Sequence, residues 1–154
     1  MRAVRFDTEW GPGWVGFEEE RLMKIVLPGG RPPASETAPA ASASGLAAAL
    51  ESYFAGDAPL PLWTAEPVGA TEFRRRVYDI VQSIPPGETR TYSQVAAAVG
   101  RPEAARAVGA AMAGNPIPPL IPCHRVVGRD GSLRGYAGGL GMKADLLRRE
   151  GAIP

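Results

Sequence analysis

One cysteine and one histidine occur in the 154 residues, and they are neighbours: Cys123 and His124, within Pro119-Leu120-Ile121-Pro122-Cys123-His124-Arg125-Val126-Val127. A thiol becomes a useful nucleophile only as the thiolate. An adjacent base or cationic surroundings are the usual means by which a protein brings a cysteine below its free pKa of about 8.5. The pair therefore reads as a candidate nucleophile with its base. The flanking Leu120, Ile121, Val126 and Val127 also suit a small buried apolar residue, which a free cysteine often is, and these residues alone do not decide between the two. A single cysteine excludes an internal disulfide, and with a single histidine no ordinary Cys/His zinc cluster can be assembled, so no metal and no cofactor is expected.

The elements that must position this pair lie on either side of it. Thr71 is a natural N-cap for a helix running to about Ser83, with Phe73, Val77, Ile80 and Val81 on one face, and Ile84-Pro85-Pro86-Gly87 stops it. Ser93 to Val99 reads as a short helix closed by Gly100, and Pro102 then stands at a first-turn position for another helix reaching about Gly114. Helix, glycine-containing turn, helix is the helix-turn-helix pattern, which an ordinary helical hairpin fits as well. The second of these helices is almost without bulk: Ala104, Ala105, Ala107, Gly109, Ala110, Ala111, Ala113 and Gly114 leave Arg106 as a long cation among methyl groups. A helix stripped in this way can bring its backbone close to another surface, whether a tight core or a narrow groove.

Upstream, Met1 to Thr8, Gly13 to Glu18 and Leu22 to Leu27 alternate apolar with polar residues between turn signals, which predicts a three-stranded antiparallel meander. Residues Pro28 to Ser44, with Pro28, Pro32, Pro33 and Pro39, read as a loop or a poorly ordered segment. A helix is predicted from Gly45 to Phe54, where Leu46, Ala49, Leu50, Tyr53 and Phe54 fall at helical spacing before Gly56-Asp57, and Pro59, Pro61 and Pro67 then mark an extended linker. The pattern divides the chain into a small α/β domain over 1–69 and a mainly α domain over 70–154. No polar constellation in the first domain suggests a chemistry, and Trp10, Trp14 and Trp63 read as packing residues.

Charge is distributed unevenly. Residues 1–69 hold five Lys/Arg against nine Asp/Glu (−4), and residues 70–154 hold twelve against seven (+5). The positive half is the half with the cysteine, as expected of a phosphate-backbone binder, although a solvated surface gives the same modest excess. No run approaches the roughly 20 apolar residues of a membrane span and no export signal precedes the first strand, so a cytoplasmic protein without membrane contact is expected.

From Thr91 to Gly151 the chain resembles the O6-alkylguanine-DNA alkyltransferases, repair proteins that move an alkyl group from guanine onto their own cysteine. The resemblance is carried by Tyr92-Ser93-Gln94-Val95-Ala96, by Ala104-Ala105-Arg106-Ala107-Val108-Gly109-Ala110-Ala111-Met112, by Asn115-Pro116 and Ile121-Pro122-Cys123-His124-Arg125-Val126, and by Gly135-Tyr136-Ala137-Gly138-Gly139 and Leu146-Leu147-Arg148-Arg149-Glu150. It implies a small supporting domain with an RNase H-like antiparallel sheet and a helix, followed by a mainly α domain with a helix-turn-helix. It implies stoichiometric transfer of a methyl or alkyl group from O6-alkylguanine in double-stranded DNA to Cys123, after the base has been flipped, by a monomer that acts once.

The resemblance also assigns roles. His124 would take the Cys123 proton through a water, since neighbours in an extended chain point to opposite sides, and Glu150 would orient the imidazole. Tyr92 would donate to the base N3. Arg106 would fill the gap left by the flipped base, on a helix whose Ala105, Ala107, Gly109 and Ala110, together with Arg125, face DNA. Tyr92, Met112, Val126, Tyr136, Ala137 and Gly138 would form the base pocket, with the carbonyls of Cys123 and Val126 reading the exocyclic amine, and Asn115 would be structural. Two departures stand out: Ala137 occupies a position where many members carry serine, and the zinc ligands of some members are missing. The rivals are a non-catalytic alkyltransferase-like protein that recognises damage, against which the presence of Cys123 argues, and a helix-turn-helix regulator with a structural cysteine.

Overall fold

Alternation over the first third of the chain is realised as three strands, β1 (Arg2–Thr8), β2 (Gly11–Glu18) and β3 (Arg21–Val26), paired antiparallel in the order β1-β2-β3. The computed structural model describes residues 1–34, 41–63 and 67–154. Ala3 and Phe6 of β1, Val15 and Phe17 of β2, and Leu22 and Ile25 of β3 are buried. Helix α1 (Ala41–Phe54) covers them with Leu46, Ala47, Leu50, Tyr53 and Phe54, each large side chain contributing about 1.5–3 kcal/mol by leaving water. Phe6 and Phe54 stack at 5.9 Å, and a Cβ on Gly13 would lie 2.3 Å from the Phe6 ring, so only glycine leaves room for that stack. Of the tryptophans, Trp14 is buried and Trp63 meets Phe17 edge-on at 6.3 Å, whereas Trp10 is exposed in the β1–β2 turn.

Helix α1 begins four residues before the predicted Gly45, because alanine-rich chain propagates a helix well. Of the loop expected over Pro28 to Ser44, residues 35–40 lie outside the described residues, as do 64–66 of the expected linker; residues 59–63 carry no regular structure.

In the other half, Thr71 caps α2 (Glu72–Gln82) as predicted, its hydroxyl accepting from the Arg74 N–H at 3.2 Å. The buried face of α2 is Val77, Tyr78 and Val81, while Phe73 and Ile80 are only half-buried. Helix α3 (Tyr92–Ala98) starts one residue earlier than predicted, behind a capping box in which the Thr91 hydroxyl accepts from Gln94 N–H at 3.1 Å and the Gln94 side chain accepts from Thr91 N–H at 2.9 Å. Helix α4 (Ala105–Ala113) starts later than Pro102 suggests: residues 101–104 form a turn closed by Ala104 N–H to Arg101 O at 2.9 Å, so the proline sits outside the helix. Two short strands, β4 (Arg90–Thr91) and β5 (Val126–Val127), pair in parallel, and α5 (Leu140–Glu150) ends at Gly151 in the left-handed conformation.

The chain divides into two units, Met1–Ala65 with Pro116–Leu120, and Glu66–Asn115 with Ile121–Pro154. The short segment beginning at Pro116 joins the first unit through the Ile25 N–H, which donates to Pro116 O at 2.8 Å, a crossing that a single cut at residue 69 does not anticipate. Among the described residues no helix is long and apolar enough to cross a membrane.

Candidate active site

The β4–β5 pair places Arg90 opposite Val126 and Thr91 opposite Val127, so the first residue of α3, Tyr92, starts beside the end of the cysteine segment. That segment is not extended. Cys123–Arg125 form a single 3₁₀ turn, held by Arg125 N–H to Pro122 O at 2.9 Å, which corrects the alternating directions expected for Cys123 and His124. Cys123 is 7% exposed and His124 is fully buried. Asn115, at the end of the α4 turn, donates from Nδ2 to Ile121 O at 2.8 Å and so ties the approach to the cysteine.

Glu150, the last residue of α5, is no solvated helix end: its side chain is 5% exposed. His124 Nε2 lies 2.9 Å from Glu150 Oε1, Arg125 Nε donates to the same oxygen at 3.0 Å, and Arg125 Nη2 donates to Oε2 at 2.5 Å. Burial alone would raise the Glu150 carboxyl, but hydrogen bonds and charge from His124 and Arg125 hold it at about 2, so it is ionised. Burial pushes His124 below its ordinary value against the pull of Glu150. Arg125 thus meets the carboxylate charge while the imidazole remains neutral. With Nε2 turned to a carboxylate, the proton of the neutral ring belongs on Nε2 and the lone pair on Nδ1, which no polar atom among the described residues hydrogen-bonds.

Arg125 was expected at DNA, and the structure corrects this. It is 3% exposed, its Nη1 donates to Ile84 O at 2.7 Å, and its Nε and Nη2 donate to Glu150, so each guanidinium nitrogen is engaged in the interior and the group is not presented to a phosphate.

Burial raises the Cys123 thiol, opposed by a hydrogen bond from Asn115 and by the charge of Lys143. The resting group is a thiol that needs a base. Lys143 escaped the sequence reading, although the signal was present: it sits three and four residues before Leu146 and Leu147 on the apolar stripe of α5. It is 1% exposed, and its Nζ donates to Val126 O at 2.8 Å and to Arg134 O at 3.0 Å. Burial brings it down to about 8. Val126 O, expected to face a substrate amine, therefore already accepts from an ammonium.

Tyr92 is half-buried, and its phenol is raised by burial and then by the nearby Cys123. The Tyr136 ring meets the His124 ring edge-on at 6.3 Å. Met112 and Val126 are buried, Ala137 is exposed, and a Cβ on Gly138 would lie 2.3 Å from the Met142 sulfur, so a side chain there requires the Met142 thioether to move. The remaining expected residues sit apart on α4. Val108, Ala111 and Met112 face inward, whereas Arg106, Ala107 and Ala110 are exposed and Ala105 and Gly109 half-buried. The helix is thus not a core helix, and a Cβ on Gly109 would meet nothing within 4 Å.

The arrangement can take a proton from a buried thiol onto a neutral imidazole backed by a carboxylate, and so generate a thiolate. A family model described as 6-O-methylguanine DNA methyltransferase, DNA binding domain, matches residues 72–152. The methylated-DNA–protein-cysteine methyltransferase of Salmonella typhimurium is 40% identical over 159 aligned positions, covering 95% of this chain and 93% of the relative. A protein of the same name from Methanosarcina acetivorans is 48% identical over 103 positions, 67% of this chain and 65% of its own. Among solved structures, Mycobacterium tuberculosis OGT in complex with DNA is similar at a TM-score of 0.84 and 35% identity, covering 99% of this chain and 94% of that one. The O6-methylguanine-DNA methyltransferase of Pyrococcus kodakaraensis gives 0.69 at 25% identity, covering 97% and 98%. Because the match spans nearly the whole chain and includes the Cys123 segment, the chain belongs to the family of methylated-DNA–protein-cysteine methyltransferases.

Proposed function

We propose that the protein repairs duplex DNA by transferring the alkyl group of O6-alkylguanine to the sulfur of Cys123. The observation that carries the reading is the buried Glu150–His124 pair beside the only cysteine, with Nδ1 left as the ring's proton acceptor. A water bridging Cys123 and Nδ1 relays the thiol proton to the imidazole, and Glu150 stabilises the imidazolium that forms. The thiolate attacks the alkyl carbon in line as the carbon–O6 bond breaks; its electron pair passes to the guanine, which leaves neutral by taking a proton at N3 from the side of Tyr92. The product is a thioether, which is not a leaving group under these conditions, so each molecule acts once.

The lesion reaches Cys123 only if the base leaves the stack, at a cost of a few kcal/mol. We assign α3 and α4 as a helix-turn-helix whose second helix lays its exposed small-residue face, Ala107 and Ala110 with Gly109 and Ala105, against the minor groove. Arg106 fills the gap, since a guanidinium is both cationic and flat enough to stack. Met112, Val126, Tyr136, Ala137 and Gly138 line the receiving pocket with Tyr92, and Asn115 holds the joint between α4 and the cysteine segment. The β1–β3 sheet with α1 is read as the RNase H-like supporting domain, residues 1–69, and 70–154 as the DNA-binding and reacting domain.

The test is the intact mass after incubation with a duplex carrying O6-methylguanine. The expected gain is one methyl in place of one hydrogen, located on Cys123 by peptide mapping. Cys123→Ser is expected to show no gain while still binding DNA. A gain in that variant, or on another residue, overturns the assignment.

A further inference from the structure

Helix α2 carries three side chains that the transfer reaction does not use and that all end on backbone carbonyls of the α3–α4 pair. Arg76 Nη2 donates to Val99 O, the C-cap of α3, at 2.7 Å. Arg74 Nη2 donates to Ala110 O at 3.4 Å, and the Tyr78 hydroxyl, on a side chain 2% exposed, donates to the buried Ala111 O at 2.9 Å. Carbonyls in the last turn of a helix run short of intrahelical partners and carry the negative end of its dipole, so guanidinium and phenol donors suit them; Ala110 O also accepts from the C-cap Gly114 N–H at 2.9 Å, so Arg74 is its second donor. Space has been left for one of them: a Cβ on Gly114, the C-cap of α4, would lie 2.4 Å from Arg74 Nη1. The clamped end of α4 leads directly into Asn115, whose side chain bonds Ile121 O two residues before Cys123.

From this geometry we infer that Arg74 and Tyr78 are positioning residues that lock the C-terminal end of α4 onto α2, and so fix where Arg106 stands relative to the cysteine segment. The inference rests on the proposed repair of duplex DNA. Its consequence is a division of labour. A free base such as O6-benzylguanine needs only the pocket and Cys123, whereas a duplex needs α4 in register with both, so losing the clamp penalises the duplex reaction selectively.

The experiment compares Tyr78→Phe, which removes one hydroxyl, and Arg74→Gln with the unaltered protein, with Arg106→Ala as the benchmark for a selective loss. Saturating single-turnover rates are expected to fall about tenfold on O6-methylguanine duplex, the scale of one mispositioned contact, and to stay within about twofold on free O6-benzylguanine. Arg74→Lys, which keeps a cation at the end of α4, is expected to recover part of the loss. Neither clamp residue is assigned to a phosphate, so the slope of log affinity against log salt stays unchanged; a slope smaller by about one for Arg74→Gln would make it a backbone contact and overturn the clamp. Equal losses on both substrates, or none on either, overturn it as well. A shifted apparent pKa for the free-base reaction of Tyr78→Phe would instead place that phenol in the electrostatics of the thiol, against the inference. Failure of the unaltered protein to alkylate Cys123 with either substrate defeats the repair reading itself and is distinguishable from all of these.

Discussion

Glu150 serves two partners at once, a guanidinium and an imidazole, and the order in which they claim it decides the chemistry. Arg125 takes both carboxylate oxygens, so the imidazole of His124 shares Oε1 without having to be charged in the resting state. A neutral buried histidine is a base; a permanently charged one would not be. Replacing Glu150 by Gln removes the charge that favours the imidazolium, so the apparent pKa governing the alkylation rate is expected to rise, with slower transfer near pH 7 and partial recovery near pH 9. The same change strands the Arg125 guanidinium without its counter-ion, and breaking a buried pair from one side costs about 3–5 kcal/mol. Single-turnover rates against pH, read alongside a denaturant titration, check both halves. Superimposable pH profiles would reduce Glu150 to a structural partner of Arg125.

At the scale of elements, the site depends on where α3 starts. Tyr92 is its first residue, and the Thr91–Gln94 capping box directly before and after it sets the entry angle of the chain. Thr91→Ala removes the acceptor for Gln94 N–H and is expected to destabilise the protein by about 0.5–2 kcal/mol. Because the frayed turn carries Tyr92, transfer from a duplex should slow more than DNA binding weakens. Thr91→Ser, which keeps the acceptor, should restore most of both. Thermal unfolding and single-turnover rates on the three proteins decide this, and a Thr91→Ala protein that is destabilised but reacts at full rate would detach the cap from the site.

For the whole molecule, three buried groups, one acidic and two basic, set how stability follows pH. Glu150 is held at about 2 against an ordinary 4.5, so its contribution is complete above about 4.5 and is lost as pH falls through 2. His124, lowered by burial, acts in the same direction, since the unfolded chain takes up a proton below about 6.5 that the folded one refuses. Lys143 is lowered from 10.5 to about 8. Between those values the unfolded chain binds a proton that the folded chain does not, so this group's penalty is fully present below about 8 and is relieved as pH rises to 10.5. The shift corresponds to about 3 kcal/mol. The stability of the unaltered protein relative to Lys143→Met should therefore improve by that order between pH 8 and 10.5, measured by denaturant midpoints. A gap constant across the window would mean that the ammonium is not held as its burial implies.

Much of this was legible in the residues themselves, because it depends on neighbours in sequence. Alternation predicts the β1–β3 meander, the helical spacing from Leu46 to Phe54 predicts the face of α1, and Thr71 marks the start of α2, while the isolated Cys123-His124 pair offers a candidate nucleophile and base without excluding a buried structural cysteine. What the tertiary structure decided has no local signature. A two-residue parallel pair such as β4–β5 has no periodicity to detect. Whether Arg125 faces DNA or Glu150, 25 residues away, depends on where α5 ends, and the burial of Lys143 depends on which carbonyls of another segment come within reach. Charged side chains are free to point anywhere until packing removes the water around them; then each must find a partner, and only the folded chain determines which one.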